Sequence, residues 1–268
     1  MRRRATGRVN RAARTGNHER MNEWNDIAVI SPAHDIDIST VGELRDQIDN
    51  LVASGVYRVM VNCQHVTFID SSGLACLISR ARHLSQNGGL LSLVNTSADV
   101  TRTLQIARLL EALHVTAATR PPVPVLKPGA MPLWSKSFSV RQGIEHLGYY
   151  RHRIADMVST LPMSDSDRFD MALAAGEALS NAYDHANGAA GCMMMVIAYP
   201  DRVVVEVRDN GCGYEIAPDE EPDESEERGR GIRLMRMLVD SVEVRRRTDA
   251  QGTLVRLIKL LQAPVAAA

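Results

Sequence analysis

Residues 120–132 read Arg-Pro-Pro-Val-Pro-Val-Leu-Lys-Pro-Gly-Ala-Met-Pro and hold five of the chain's eleven prolines. Proline fixes φ and lacks a backbone N–H, so this run sustains neither a helix nor a central strand. It reads as a semi-extended linker, and ~13 residues at ~3.1 Å each reach roughly 40 Å. The 268 residues then divide into a leader (1–22), a first domain (23–118), the linker (119–133), a second domain (134–262) and a tail (263–268). Both domains have ordinary sizes.

On the N-terminal side of the linker, strands and helices alternate. Ile27–Ile30, Val56–Val61 and Leu90–Val94 are short apolar runs, with Phe68–Ile69 a brief edge. Between them, helical spacing starts at Ser39 and stops at Gly55, and recurs from Leu74 to Leu84 and over Thr101–Leu113. That alternation predicts an α/β domain with a largely buried, mixed sheet. On the C-terminal side, two helices come first, Val140–Leu161 and Asp165–Ala186, with Asp165 as N-cap. Strands at Met193–Ala198 and Val203–Val207, a helix at Gly231–Val239, and strands at Val242–Arg246 and Leu254–Leu260 follow. This order predicts an α+β domain, its antiparallel or mixed sheet covered by helices on one face.

The formal charge of −1 hides a segregation. Residues 1–20 carry seven Arg and one Glu, so the remaining 248 residues sum to −7. The leader has no apolar core segment and is no secretory signal. It reads as a disordered extension, as sequence preceding a true start at Met21, or as a contact for nucleic acid or acidic lipid. No apolar run approaches the ~18 residues of a membrane span. Cys63, Cys76, Cys192 and Cys212 show no disulfide or zinc spacing, which suits a reducing, cytoplasmic compartment. Cys212, between two glycines, is the one expected to be exposed.

Three segments of the second domain carry chemistry. In Gly176-Glu177-Ala178-Leu179-Ser180-Asn181, Glu177 and Asn181 are four apart and share a helix face. Such a pair either activates a hydroxyl and holds a hard cation, or is a solvated face. Asp209-Asn210-Gly211-Cys212-Gly213 follows a strand and reads as a close-approach loop or as a plain turn. Gly229-Arg230-Gly231 opens a helix, whose free N–H groups suit an anion. Neither glycine segment is a Walker A or Rossmann motif.

Taken in order, with Gly252-Thr253 before the last strand, these segments resemble the GHKL ATPases. In their short form they resemble the anti-sigma factor serine kinases, over about residues 134–260. The resemblance implies an ATP and Mg²⁺ site. Asn181 would ligate Mg²⁺, Asp209 would read the adenine amino group, and Gly211 and Gly213 would line the adenine pocket. Gly229, Arg230 and Gly231 would sit at the phosphates, Thr253 would back the adenine, and Glu177 would be the general base for a protein serine. The segment between the glycine boxes would be a nucleotide lid. Here residues Glu215–Glu227 contain eight carboxylates and no base, a run that reads as a solvated loop or as a filter on partners.

In the first domain, Val66-Thr67-Phe68-Ile69-Asp70-Ser71-Ser72-Gly73-Leu74 is similar to the signature of STAS-domain anti-sigma factor antagonists, over about residues 24–117. A serine at a helix start is commonly just an N-cap. The resemblance makes Ser71 the phosphoacceptor, with Ser72 second. Ala75 stands where many members have Gly, and Pro32–Asp37 replaces the usual Gly-Glu-Leu-Asp loop. Together the halves imply a partner-switching regulator of sigma-factor-dependent transcription. Its kinase would act on its own Ser71, which tethering favours, or on a separate STAS antagonist, and it would sequester a sigma factor and dimerise through the second domain. Direct nucleic-acid or membrane binding is not implied. The alternative is a non-catalytic, ATP-dependent binding module. A histidine kinase fragment fits less well, because no dimerising helix pair with its own His precedes the second domain.

Overall fold

The computed structural model describes residues 27–140, 147–185, 192–217, 220 and 227–261. The leader, the tail and most of the acidic run fall outside them. The first domain comprises β1 (Ile27–Ile30), α1 (Val41–Ala53), β2 (Arg58–Asn62), α2 (Ser71–Gln86), β3 (Leu90–Val94) and α3 (Ala98–Ile106). Its described sheet runs β1-β2-β3 and is parallel throughout, with Ile30 opposite Val61 and Val61 opposite Leu93. Strand alternation sends Val59, Val61, Leu91 and Leu93 to one face, where they pack with Leu44 and Ile48 of α1 and Leu77 and Leu84 of α2. Helix α3 starts three residues earlier than the sequence predicts, because the Ser97 hydroxyl accepts from the Val100 N–H at 3.3 Å. It ends at Ile106, before Arg108 turns left-handed at φ 56°.

The second domain comprises β4 (Trp134–Val140), α4 (Leu147–Val158), α5 (Asp165–His185), β5 (Cys192–Ala198), β6 (Arg202–Arg208), α6 (Glu227–Leu238), β7 (Ser241–Arg246) and β8 (Thr253–Leu260). Its sheet, β4-β5-β6-β8-β7, is antiparallel throughout. Three sequence expectations are corrected. Val140 ends a strand rather than starting a helix, since β4 pairs with β5 from Trp134 opposite Ala198 to Val140 opposite Cys192. Asp165 is the first helical residue, not the cap. Ser164 caps α5, its hydroxyl accepting from the Asp167 N–H at 3.0 Å and donating to the Asp167 carboxylate at 2.7 Å. Helix α6 begins at Glu227, four residues ahead of Gly231. No helix among the described residues is long and apolar enough to cross a membrane.

The opposite face of the first sheet carries Arg58, Met60, Ser92 and Val94. Met60 and Val94 join the core of the second domain rather than that of the first. The Arg58 side chain is 0% exposed; it donates to Ser92 Oγ at 2.9 Å and to Asp170 Oδ1 on α5 at 2.7 Å. Its guanidinium also lies 5.8 Å from the Phe169 ring centroid. The result is layered: α1 and α2, then the parallel sheet, then the second domain.

The proline-rich stretch is tied down as well. The Arg120 guanidinium donates to the carbonyls of Met237 in the last turn of α6 and of Val239 just past it, and Arg202 donates to the carbonyl of Pro124. Leu133 N–H donates to the Ala198 carbonyl at 2.8 Å. The residues read as a free tether form a strap on the second domain.

Candidate nucleotide site and phosphoacceptor

Helix α5 presents Glu177 and Asn181 to α6, and Gly231 makes room for them. A Cβ on Gly231 would overlap Glu177 Oε1 and lie 2.9 Å from Asn181 Nδ2. Asn181 is 6% exposed, and its side-chain nitrogen is buried with no hydrogen-bond partner among the described residues. An orphaned buried amide is costly unless a ligand completes it. Because α6 starts at Glu227, Gly231 lies past the helix's free N–H groups. Its smallness serves the Glu177–Asn181 approach. Gly231→Ala is therefore expected to lower any reaction that uses Glu177 by at least tenfold, while leaving the chain folded. Measuring activity beside a thermal melt checks this.

The other wall is built on strand ends. Asp209, 3% exposed, follows β6. Its Oδ1 accepts from the Gly211 N–H at 2.8 Å and from the Thr253 N–H at 3.0 Å, so one carboxylate oxygen stitches β6 to the start of β8. Oδ2 has no partner among the described residues and can accept from a ligand amino group. Gly252, at φ 127°, lies so close that a Cβ would overlap the Asp209 carbonyl oxygen. Gly213, at φ 76°, would bring a Cβ to 2.8 Å from the Gly252 carbonyl oxygen. Burial, and then the Asp209 charge, push the nearby Cys192 thiol up to about 11. Cys212 is exposed, while Cys63 and Cys192 are buried.

Arg247 and Arg151 were not legible as site residues. Arg247 donates to the Asp209 carbonyl at 3.1 Å and to Asn210 Oδ1 at 2.7 Å, bracing the loop from β7. Arg151 of α4 lies against Gly176, where a Cβ would overlap its Nε. This sets a guanidinium one residue before Glu177. Ahead of α6, Ile216 bridges to Val244, and Arg236 donates to the carbonyls of Glu220 at 2.6 Å and Ala217 at 3.2 Å. Gly229 is buried and Arg230 exposed in the first turn of α6. No group of three or more His, Cys, Asp or Glu among the described residues could hold a metal. Mg²⁺ takes oxygen ligands and is often held by one or two side chains with phosphate oxygens, so Asn181 could serve it only through Oδ1, not through its buried nitrogen.

Ser71 is the first residue of α2, but it does not cap it. Asp70 does: its Oδ1 accepts from the Gly73 N–H at 2.8 Å, and its Oδ2 from the Ile38 N–H at 3.1 Å. The exposed Ser71 hydroxyl has no hydrogen bond among the described residues, whereas Ser72 is half-buried. Gly73 lets α2 press on Ile36, whose carbonyl oxygen would lie 2.6 Å from a Cβ there. The variant loop is ordered by its acids. Asp35 accepts from the N–H groups of Thr67 at 2.7 Å and Phe68 at 3.0 Å, and these backbone bonds hold its carboxyl below the usual range. Glu177 lies in α5, on the other side of the parallel sheet from α2.

Residues 20–120 match the STAS domain family, and residues 140–259 match the histidine kinase-like ATPase domain family. An anti-sigma-B factor antagonist of Staphylococcus epidermidis is 27% identical over 95 residues, 35% of this chain and 88% of that protein. One of Staphylococcus aureus is 28% identical over 85 residues, 32% of this chain and 79% of that protein. A crystal structure from Thermotoga maritima, described as a candidate anti-sigma factor antagonist, is 20% identical with a TM-score of 0.33, over 34% of this chain and 80% of that one. The chain is a STAS domain joined to a histidine kinase-like ATPase domain.

Proposed function

We propose that this chain is a partner-switching regulator of sigma-factor-dependent transcription, its ATPase domain acting as a serine kinase on a STAS-domain serine. The supporting observation is the convergence of Glu177 and Asn181, whose buried side-chain nitrogen has no partner among the described residues, on Gly231. Asp209 Oδ2 takes the adenine amino group, and Gly211, Gly213 and Thr253 shape the wall beside it. Asn181 holds Mg²⁺, which when bound offsets phosphate charge. Glu177 orients the serine hydroxyl and accepts its proton. Gly229 and Arg230 lie at the phosphate end. Phosphate on Ser71 gains from the α2 N-terminus but adds roughly −1.5 to −2 charges beside Asp70, which alters what that surface binds. A released or retained sigma factor is the output of that switch, and the kinase domain is the surface on which copies pair.

The test is incubation with Mg²⁺ and γ-labelled ATP, alone and with a separate STAS antagonist. Transfer to Ser71 or to the added serine is the expected result, and Ser71→Ala removes the first. A protein whose melt rises with ATP but which labels nothing would establish the non-catalytic binding module instead. A melt insensitive to ATP would end both readings.

A further inference from the structure

The two domains share a buried seam, and its position bears on which serine the kinase reaches. The seam joins the helix-free face of the parallel sheet to the first turns of α5. Arg58, wholly buried, bonds Asp170, and Met60 and Val94 continue the core of the second domain. Ser71 heads α2, which packs on the opposite face of that sheet through Leu77 and Leu84. A full sheet layer therefore stands between Ser71 and α5. Asp170 precedes Glu177 by two turns, about 10 Å at 1.5 Å per residue, so the seam and the base sit on one rigid element. The strap bonds of Arg120, Pro124 and Leu133 remove the slack that would let the first domain swing round.

We infer that Ser71 is phosphorylated by a second copy of this chain and not by its own kinase domain. The inference rests on the kinase reading above. In the step, Ser71 Oγ of one copy bonds to the γ-phosphorus of ATP held by the other. The bond from that phosphorus to the β,γ-bridging oxygen breaks, and ADP leaves with the electron pair. The hydroxyl proton passes to Glu177 of the ATP-bearing copy and then to water. The seam leaves the Ser71 surface outward, flanked by the exposed side chains of Phe68 (55%) and Ile38 (79%), where another copy can meet it.

Ser71→Ala and Glu177→Gln chains with different tags are co-expressed, purified together, dephosphorylated and given Mg²⁺ and γ-labelled ATP beside wild type. The expected result is label on wild type and on the Glu177→Gln chain, with at least tenfold less on Glu177→Gln alone. Label on wild type with none on either chain of the pair overturns the inference and leaves the kinase intact. No label on wild type, with transfer to an added STAS protein, also overturns it. No transfer anywhere overturns it together with the kinase reading. A nucleotide-free readout tests the seam itself: in Asp170→Ala, hydrogen exchange should rise together in β2, β3 and the first turns of α5. A rise confined to α5 overturns the inference.

Discussion

Glu177→Gln is expected to lower phosphoryl transfer to a STAS-domain serine by about 10²–10⁴-fold, the usual worth of a positioned general base. The amide keeps the volume that Gly231 accommodates, so α5 and α6 should pack as before. ATP affinity should persist, because the wall proposed above for the adenine is formed by Asp209, Gly211 and Thr253 on strand ends remote in sequence from α5. Transfer rates and the ATP-induced rise in melting temperature are therefore expected to part company. If both fall together, Glu177 belongs to nucleotide binding, and the proton must go elsewhere. Asn181→Ala is the complementary case. It should weaken the Mg²⁺ dependence of ATP binding while the metal-free protein melts as wild type.

Asp170→Ala is expected to cost about 3–5 kcal/mol, because it strands the Arg58 guanidinium in a buried site. Arg58 is 0% exposed and Asp170 only 13%, so water cannot replace the lost carboxylate without opening the seam. Denaturant or thermal unfolding measures the loss. The double variant Arg58→Met/Asp170→Leu should recover most of it, since a buried ion pair can often be exchanged for apolar side chains of similar volume. If the double variant is as unstable as Asp170→Ala, the pair acts through packing shape rather than charge.

What the sequence disclosed was local. The four-residue spacing of Glu177 and Asn181, the Asp209–Gly213 loop and the Asp70-Ser71 helix start lie within single elements, where periodicity and turn chemistry are legible. The structure brings Glu177, Asn181 and Gly231 together, and likewise Asp209, Gly211 and Thr253. Elements were missed where polar residues interleave. Ser135, Ser137 and Ser139 alternate with Trp134, Lys136 and Phe138, so β4 did not stand out as apolar. The start of α6 was masked by its glycines and by the acidic residues before them. The seam was invisible for a different reason: Arg58 and Asp170 are 112 residues apart, and no local pattern distinguishes an arginine on a strand that will be buried from one that will be solvated. Arg247 was hidden in the same way, a basic residue after an edge strand that looks like surface until the loop it braces is in place.

The strap from Arg120 to Leu133 has a consequence for how the chain can be taken apart. Parallel sheets are normally covered on both faces, and here the second cover comes from the other half of the molecule. Severed within the strap, the N-terminal fragment would expose Met60, Val94 and a charged Arg58 in the middle of a sheet. The C-terminal fragment would lose the caps on the carbonyls of Met237 and Val239. The proline run that suggests two modules on a string instead marks a place where cutting leaves two fragments prone to aggregate.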